Sequence, residues 1–165
     1  MPDECIQAKP VPALQTGNRA AELRAELVRI ALAWQDYFGV APHITTAISE
    51  LDAALLVGMS EDEYCADGAL RTAVTKGKDF TWRGVRYQVT ANQPSGKKGS
   101  PVTLVSLKRK FEWDKLIWLL YSREYVLQEA WEFTVDEYKG RFTQSTRLSP
   151  DDMRLGRCLF KGLQR

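Results

Sequence analysis

Glu50, Asp67 and Gln88 follow one another along the chain as an acid, an acid and an amide. The last of them lies on Tyr87-Gln88-Val89-Thr90-Ala91-Asn92, which alternates its side chains as a β-strand does. That strand runs into Gln93-Pro94-Ser95-Gly96-Lys97-Lys98-Gly99-Ser100. A strand that presents polar side chains and then opens into a glycine-rich basic loop is a natural edge for an active cleft. Gly96 and Gly99 would let backbone amides come close to a phosphate. Lys97 and Lys98, with Lys108, Arg109, Lys110 and Lys115 further on, could hold a nucleic-acid backbone without reading bases. The alternative is a solvated turn whose lysines protect a sheet edge. The loop lacks the GxxxxGK[ST] order of a nucleoside-triphosphate site. Trp82 and Trp113 stand beside basic residues and are the candidates for stacking on bases, whereas Trp118 and Trp131 fall in apolar strand runs and read as core.

The acid, acid, amide order resembles the PD-(D/E)XK nuclease superfamily, in which a helical acid, an Asp at a strand start and an (E/D/Q)-x-K strand converge on a divalent metal. The resemblance covers roughly Ser49 to Phe133, and its last element here reads Gln88-Val89-Thr90. It implies a restriction-endonuclease-like fold, Glu50 and Asp67 as metal carboxylates, and Gln88 as an accessory ligand. Mg²⁺ is the implied cofactor, since a hard cation takes carboxylates, an amide or main-chain oxygen, and waters. It also implies a nucleic-acid partner, DNA ahead of RNA. Thr90 stands where the superfamily has a lysine that steadies the developing charge, so the expectation is a nucleic-acid-binding protein whose Mg²⁺-dependent hydrolysis is impaired or lost. Asn92 to Ser100, Trp113-Asp114-Lys115-Leu116-Ile117-Trp118 and Gln128-Glu129-Ala130-Trp131-Glu132 are also similar to bacterial and phage proteins of unassigned function, which carry lysine at the position of Thr90. The alternative function is therefore an inactive protein-interaction module that inhibits or assembles with a host defence complex.

Several elements must position these residues. Residues 1–17, with Pro2, Pro10, Pro12 and Gly17, read as a flexible arm, and 18–165 as a single domain. Asn18 can cap a helix whose Leu23, Leu27, Ile30, Trp34 and Tyr37 recur at three and four and which ends at Gly39. Its stripe suits packing on the chain's own core, with a homodimer through the 18–38 helix as the alternative. A second helix from Thr45 or Thr46 to Val57 carries Glu50, and Ser60 to Glu63 is an acidic helix start or loop. Asp67-Gly68 reads as a turn before a strand or short helix over 69–74.

Arg83-Gly84 divides two alternating runs as a hairpin turn. Residues 102–107 read as a strand, 116–121 as a central strand buried on both faces, and 125–133 as another. Thr134 and Glu137 make a capping box for a helix to Phe142, and a last short helix starts at Ser149-Pro150. Together these predict an α+β domain, a central mixed sheet of four or five strands flanked by helices.

Composition sets outer bounds. The formal net charge of +2 gives no global field, so any phosphate-binding face is a local patch. Cys5, Cys65 and Cys158 are odd in number and widely spaced, which argues against a disulfide framework or a CxxC metal pair and suits a reducing cytoplasm. No apolar run reaches the ~20 residues that span a bilayer, so no membrane partner is expected. His43 is the only histidine and reads as a surface or structural residue, leaving imidazole catalysis without a partner.

Overall fold

The computed structural model describes residues 19–71, 77–94 and 99–162. Three helices come first: α1 (Arg19–Phe38), α2 (Thr45–Leu56) and α3 (Glu61–Leu70). The hairpin β1 (Phe80–Trp82) and β2 (Val85–Asn92), the pair β3 (Lys115–Tyr121) and β4 (Leu127–Thr134), helices α4 (Val135–Phe142) and α5 (Pro150–Met153), and β5 (Arg157–Lys161) complete the order. The five strands form one mixed sheet in the order β1-β2-β3-β4-β5, with β2 and β3 parallel and every other neighbour antiparallel. This is the expected α+β class. No helix among the described residues is long and apolar enough to cross a membrane.

Local chemistry explains most boundaries. Arg83 and Gly84 both take positive φ, 49° and 77°, as a two-residue turn matched to strand twist requires. Ser60 with Glu63, Thr134 with Glu137 and Ser149 with Asp152 each close a capping box at the start of a helix. β3 is buried on both faces because it divides two cores. On one face Ile117, Leu119 and Tyr121 meet Ala53, Ala54, Phe80, Tyr87 and Val89, beneath α2. On the other, Leu116 and Trp118 meet Trp113, Phe133, Tyr138, Phe142 and Leu148, beneath α4 and α5.

Several expectations change. Asp67 and Gly68 belong to α3, which runs to Leu70, because the capping box at Ser60 starts a helix that outlasts the turn signal. Residues 102–107 are not a strand; Val105 makes a single antiparallel bridge to Leu148. Alternation there specifies one buried face, and that face lies over α4 and α5 rather than beside a free strand. β5 was not expected, since its five residues are short and flanked by charges. Cys158, on β5, is disulfide-bonded, against the expectation drawn from cysteine count, while Cys65 is free and exposed.

The α1 stripe is the largest departure. Leu23, Leu27, Ile30, Trp34 and Tyr37 are exposed, and the helix instead turns Ala31 and Gln35 inward, with Val28 and Leu32 partly buried against Tyr125 and Ile48. Polar ties fix this choice. Arg24 reaches both oxygens of Asp52 on α2 at 2.7 Å, and the Tyr121 hydroxyl donates to the same carboxylate at 2.6 Å.

Candidate active site

Because β2 and β3 are parallel, the chain must return from the end of β2 to the start of β3, and the described residues of this crossing, 93–94 and 99–114, contain no helix. The crossing carries Lys108 back beside β2. On the other edge, β1 covers β2 only as far as Tyr87, so the stretch from Gln88 to Asn92 has no outer strand partner among the described residues. Thr45, Thr46, Ser49 and Glu50 of α2, Asp79, Gln88, Val89 and Ala91 of the open edge, and Lys108 of the crossing line one cavity of ≈ 210 Å³.

Asp79 closes the open edge. Its backbone N–H donates to the Tyr87 carbonyl at 2.8 Å. Its carboxylate accepts from the Val89 N–H at 2.6 Å and from the Gln88 amide at 2.5 Å. Glu50 faces it from α2. Burial pushes the Glu50 carboxyl up from its ordinary range and the charge of Asp79 pushes it further, against the Arg71 guanidinium. Burial likewise raises Asp79, against the Val89 N–H, Lys108 and Arg71. Two carboxylates whose pKa values are raised by burial, one of them also by the other's charge, with a lysine lining the same cavity, can bind a proton or a hard cation.

The residues expected from sequence divide. Glu50 and Gln88 reach the cavity. Asp67 lies elsewhere: Arg71 stands between it and Glu50, donating to Asp67 at 2.9 Å and to Glu50 at 3.3 Å. The second oxygen of Asp67 accepts from the Thr81 N–H at 3.2 Å, so this carboxylate ties α3 to β1. Tyr64 backs the guanidinium, its ring centre 5.0 Å from the Arg71 carbon. Thr90 is 7 % exposed, lies beside Trp118 in the sheet register and does not line the cavity; its hydroxyl is buried without a partner.

Asp79 was missed, and Lys108 was expected as a phosphate contact rather than as part of this cavity. Asp79 follows Lys76-Gly77-Lys78 and reads as part of a charged turn, and only the truncation of β1 makes it an edge cap. Lys108 could be singled out only as one of a basic run, because its place depends on a long crossing.

The proposed phosphate contacts also divide. Lys97 and Lys98 lie outside the described residues. Arg109 is engaged, donating to the Thr143 carbonyl at 2.8 Å and to that of Ser145 at 2.5 Å, whereas Lys110 is exposed. Trp113 is 1 % exposed and donates from its ring nitrogen to the Lys110 carbonyl, so it is a core residue with no face free for a base. Trp82 is half-buried with the Arg83 guanidinium 4.4 Å over its ring. His43 is exposed, as expected.

No protein-family model matches this chain, and no curated protein matches it. The reading of the site therefore rests on its own chemistry. Among the described residues no three of His, Cys, Asp and Glu gather into a group. The oxygen set at the open edge is instead two carboxylates, Glu50 and Asp79, supplemented by the neutral oxygens of Gln88 and Val89. Those donors suit Mg²⁺ rather than a soft metal.

Proposed function

We propose that the cleft at the open edge of β2 is a divalent-metal site of the PD-(D/E)XK kind that binds and hydrolyses the phosphodiester backbone of DNA. Glu50 and Asp79 would hold the cation, with Gln88 or the Val89 carbonyl as a neutral oxygen ligand. A bound Mg²⁺ would supply Lewis-acid polarisation of a phosphate oxygen. Lys108 takes the part for which Thr90 is unsuited. A neutral, buried hydroxyl cannot offset negative charge developing at phosphorus, whereas an ammonium on the cavity wall can. Arg71 orients Glu50 toward the cavity from behind, and Lys110 offers a backbone contact outside it. The single observation that supports the reading is the meeting of Glu50, Asp79, Gln88 and Lys108 around one cavity.

The test is cleavage of linear duplex DNA with Mg²⁺ or with chelator, comparing the natural protein with Asp79→Asn and Lys108→Met. Mg²⁺-dependent cutting lost in both variants supports the assignment. Cutting unaffected by Asp79→Asn would move the chemistry elsewhere. The absence of both cutting and Mg²⁺-dependent DNA binding would favour the second reading, a protein-interaction module, for which the apolar outer face of α1 is the specific observation.

A further inference from the structure

α1 carries two apolar faces. The inner one is used: Val28, Ala31 and Leu32 pack toward Ile48 and Tyr125, and the Arg24 to Asp52 pair fixes the helix on α2. The outer one is Leu23, Leu27, Ile30, Trp34 and Tyr37, at 51, 36, 52, 49 and 83 % exposure, with Phe38 beside it at 56 %. At about 100° per residue the two faces lie roughly a third of a turn apart, so one helix cannot bury both against its own domain. The outer spacing is four, three, four, three. That average of 3.5 residues is the period of a seam between two helices rather than of a helix lying on a sheet.

We propose that this outer face is a homodimer seam, in which α1 packs on α1 of a second copy with the two helices antiparallel. The pattern is self-complementary in that orientation. Leu23 and Leu27 of one copy meet Trp34 and Tyr37 of the other, Ile30 lies near the two-fold axis, and the helix dipoles oppose. The aromatic end is already ordered for packing, with the Trp34 and Phe38 ring centres 4.5 Å apart and those of Tyr37 and Phe38 4.8 Å apart. Charged side chains border the seam without entering it. Glu26 and Arg29 pair with each other at 2.9 Å on the solvent flank, where their stems can cover its rim.

The exposed parts of these six side chains amount to about 500 Å² per copy on ordinary side-chain areas. That is below the roughly 800 Å² per partner of a standard interface, so the dimer is expected to dissociate on dilution. The chain's own first 18 residues are a poorer occupant. They hold three prolines and only Met1, Ile6, Val11 and Leu14 as large apolar side chains, without the 3.5-residue spacing.

The experiment is the mass of the full chain in solution by sedimentation over a range of concentrations. Ile30→Glu is compared with a control, Leu70→Glu, at an exposed apolar residue on α3. The expected result is a concentration-dependent dimer for the natural protein and for Leu70→Glu. The dissociation constant should be raised about 100-fold or more by Ile30→Glu, because the residue occurs twice in the seam. Unchanged circular dichroism and melting would show that Ile30→Glu is folded. A natural chain that is monomeric at every concentration overturns the proposal, whether its own arm or a different protein covers the face. A dimer that survives Ile30→Glu overturns it as well. Orientation is read by oxidising a mixture of Leu23→Cys and Tyr37→Cys chains on a Cys65→Ser background. Crosslinked heterodimers support the antiparallel seam, and crosslinking only between identical chains overturns it.

Discussion

The Gln88 amide donates to the Asp79 carboxylate at 2.5 Å, across the point where β1 stops covering β2. This pairing makes Asp79, rather than Asp67, the carboxylate that shares the cleft with Glu50.

If Lys108 supplies the positive charge at that cleft, Lys108→Met should lower the rate of Mg²⁺-dependent cleavage by about 10²- to 10³-fold, the usual effect of losing one preorganised electrostatic donor. Single-turnover kinetics on duplex DNA measure it. Lys110→Ala should leave the rate at saturating DNA unchanged and flatten the salt dependence of binding by about 0.9 in log–log slope.

Glu50 has its carboxyl raised in the folded protein, so this site contributes stability below the ordinary carboxylate pKa, and that contribution is lost as pH rises through the raised value. Glu50→Gln should therefore melt above the natural protein at pH 7 to 8, with the advantage shrinking as pH falls toward the model-compound range of about 4.3. Calorimetry across that range checks the sign. A variant that melts lower at pH 7 would mean that the Arg71 pairing outweighs the burial.

Asp114 has the opposite sign. Hydrogen bonds from the Arg86 side chain and backbone N–H hold its carboxyl down to about 2, and the pair pins the start of β2 to the start of β3. Its contribution is complete above the unfolded pKa of about 3.9 and is lost as pH falls toward the folded value. The natural protein should exceed Asp114→Asn by up to about 1 kcal/mol at neutral pH, the ceiling for an exposed pair, and by less in acid urea titrations.

Asp52→Ala should cost about 3–5 kcal/mol in urea denaturation, because it strands the Arg24 guanidinium and the Tyr121 hydroxyl in a largely buried place. Tyr121→Phe removes only one donor and should cost about 1 kcal/mol. Equal losses would mean that the carboxylate matters only to Tyr121.

Thr90→Val should be neutral or stabilising by up to about 1 kcal/mol, since it removes a buried hydroxyl that has no partner. Thr90→Lys should destabilise the fold without raising cleavage above that of the natural protein. A gain in cutting from Thr90→Lys would return the missing charge to β2 and take the role from Lys108.

Much of the scaffold was legible because its signals are local. Arg83-Gly84 selects its turn by positive φ, Ser60, Thr134 and Ser149 close their capping boxes within three residues, and the apolar run of β3 marks a strand covered on both faces. Glu50 and Gln88 were legible as cleft residues because the helix and strand that carry them have clear patterns. What the sequence could not determine was which neighbours those elements take. Asp67 and Asp79 are both acids near a turn, and the choice between them depends on where β1 ends and on where Arg71 lies. The place of Lys108 depends on the parallel pairing of β2 with β3, which sends the connecting chain back across the sheet. The α1 stripe shows the same limit, since its period specifies an apolar face but not whether that face meets its own domain. Arg24, Gln35 and Ala31 took the inner position, and Leu23, Leu27, Ile30, Trp34 and Tyr37 were left on the outside, because the polar ties to Asp52 fix the helix's rotation and a single helix cannot bury two faces against one surface.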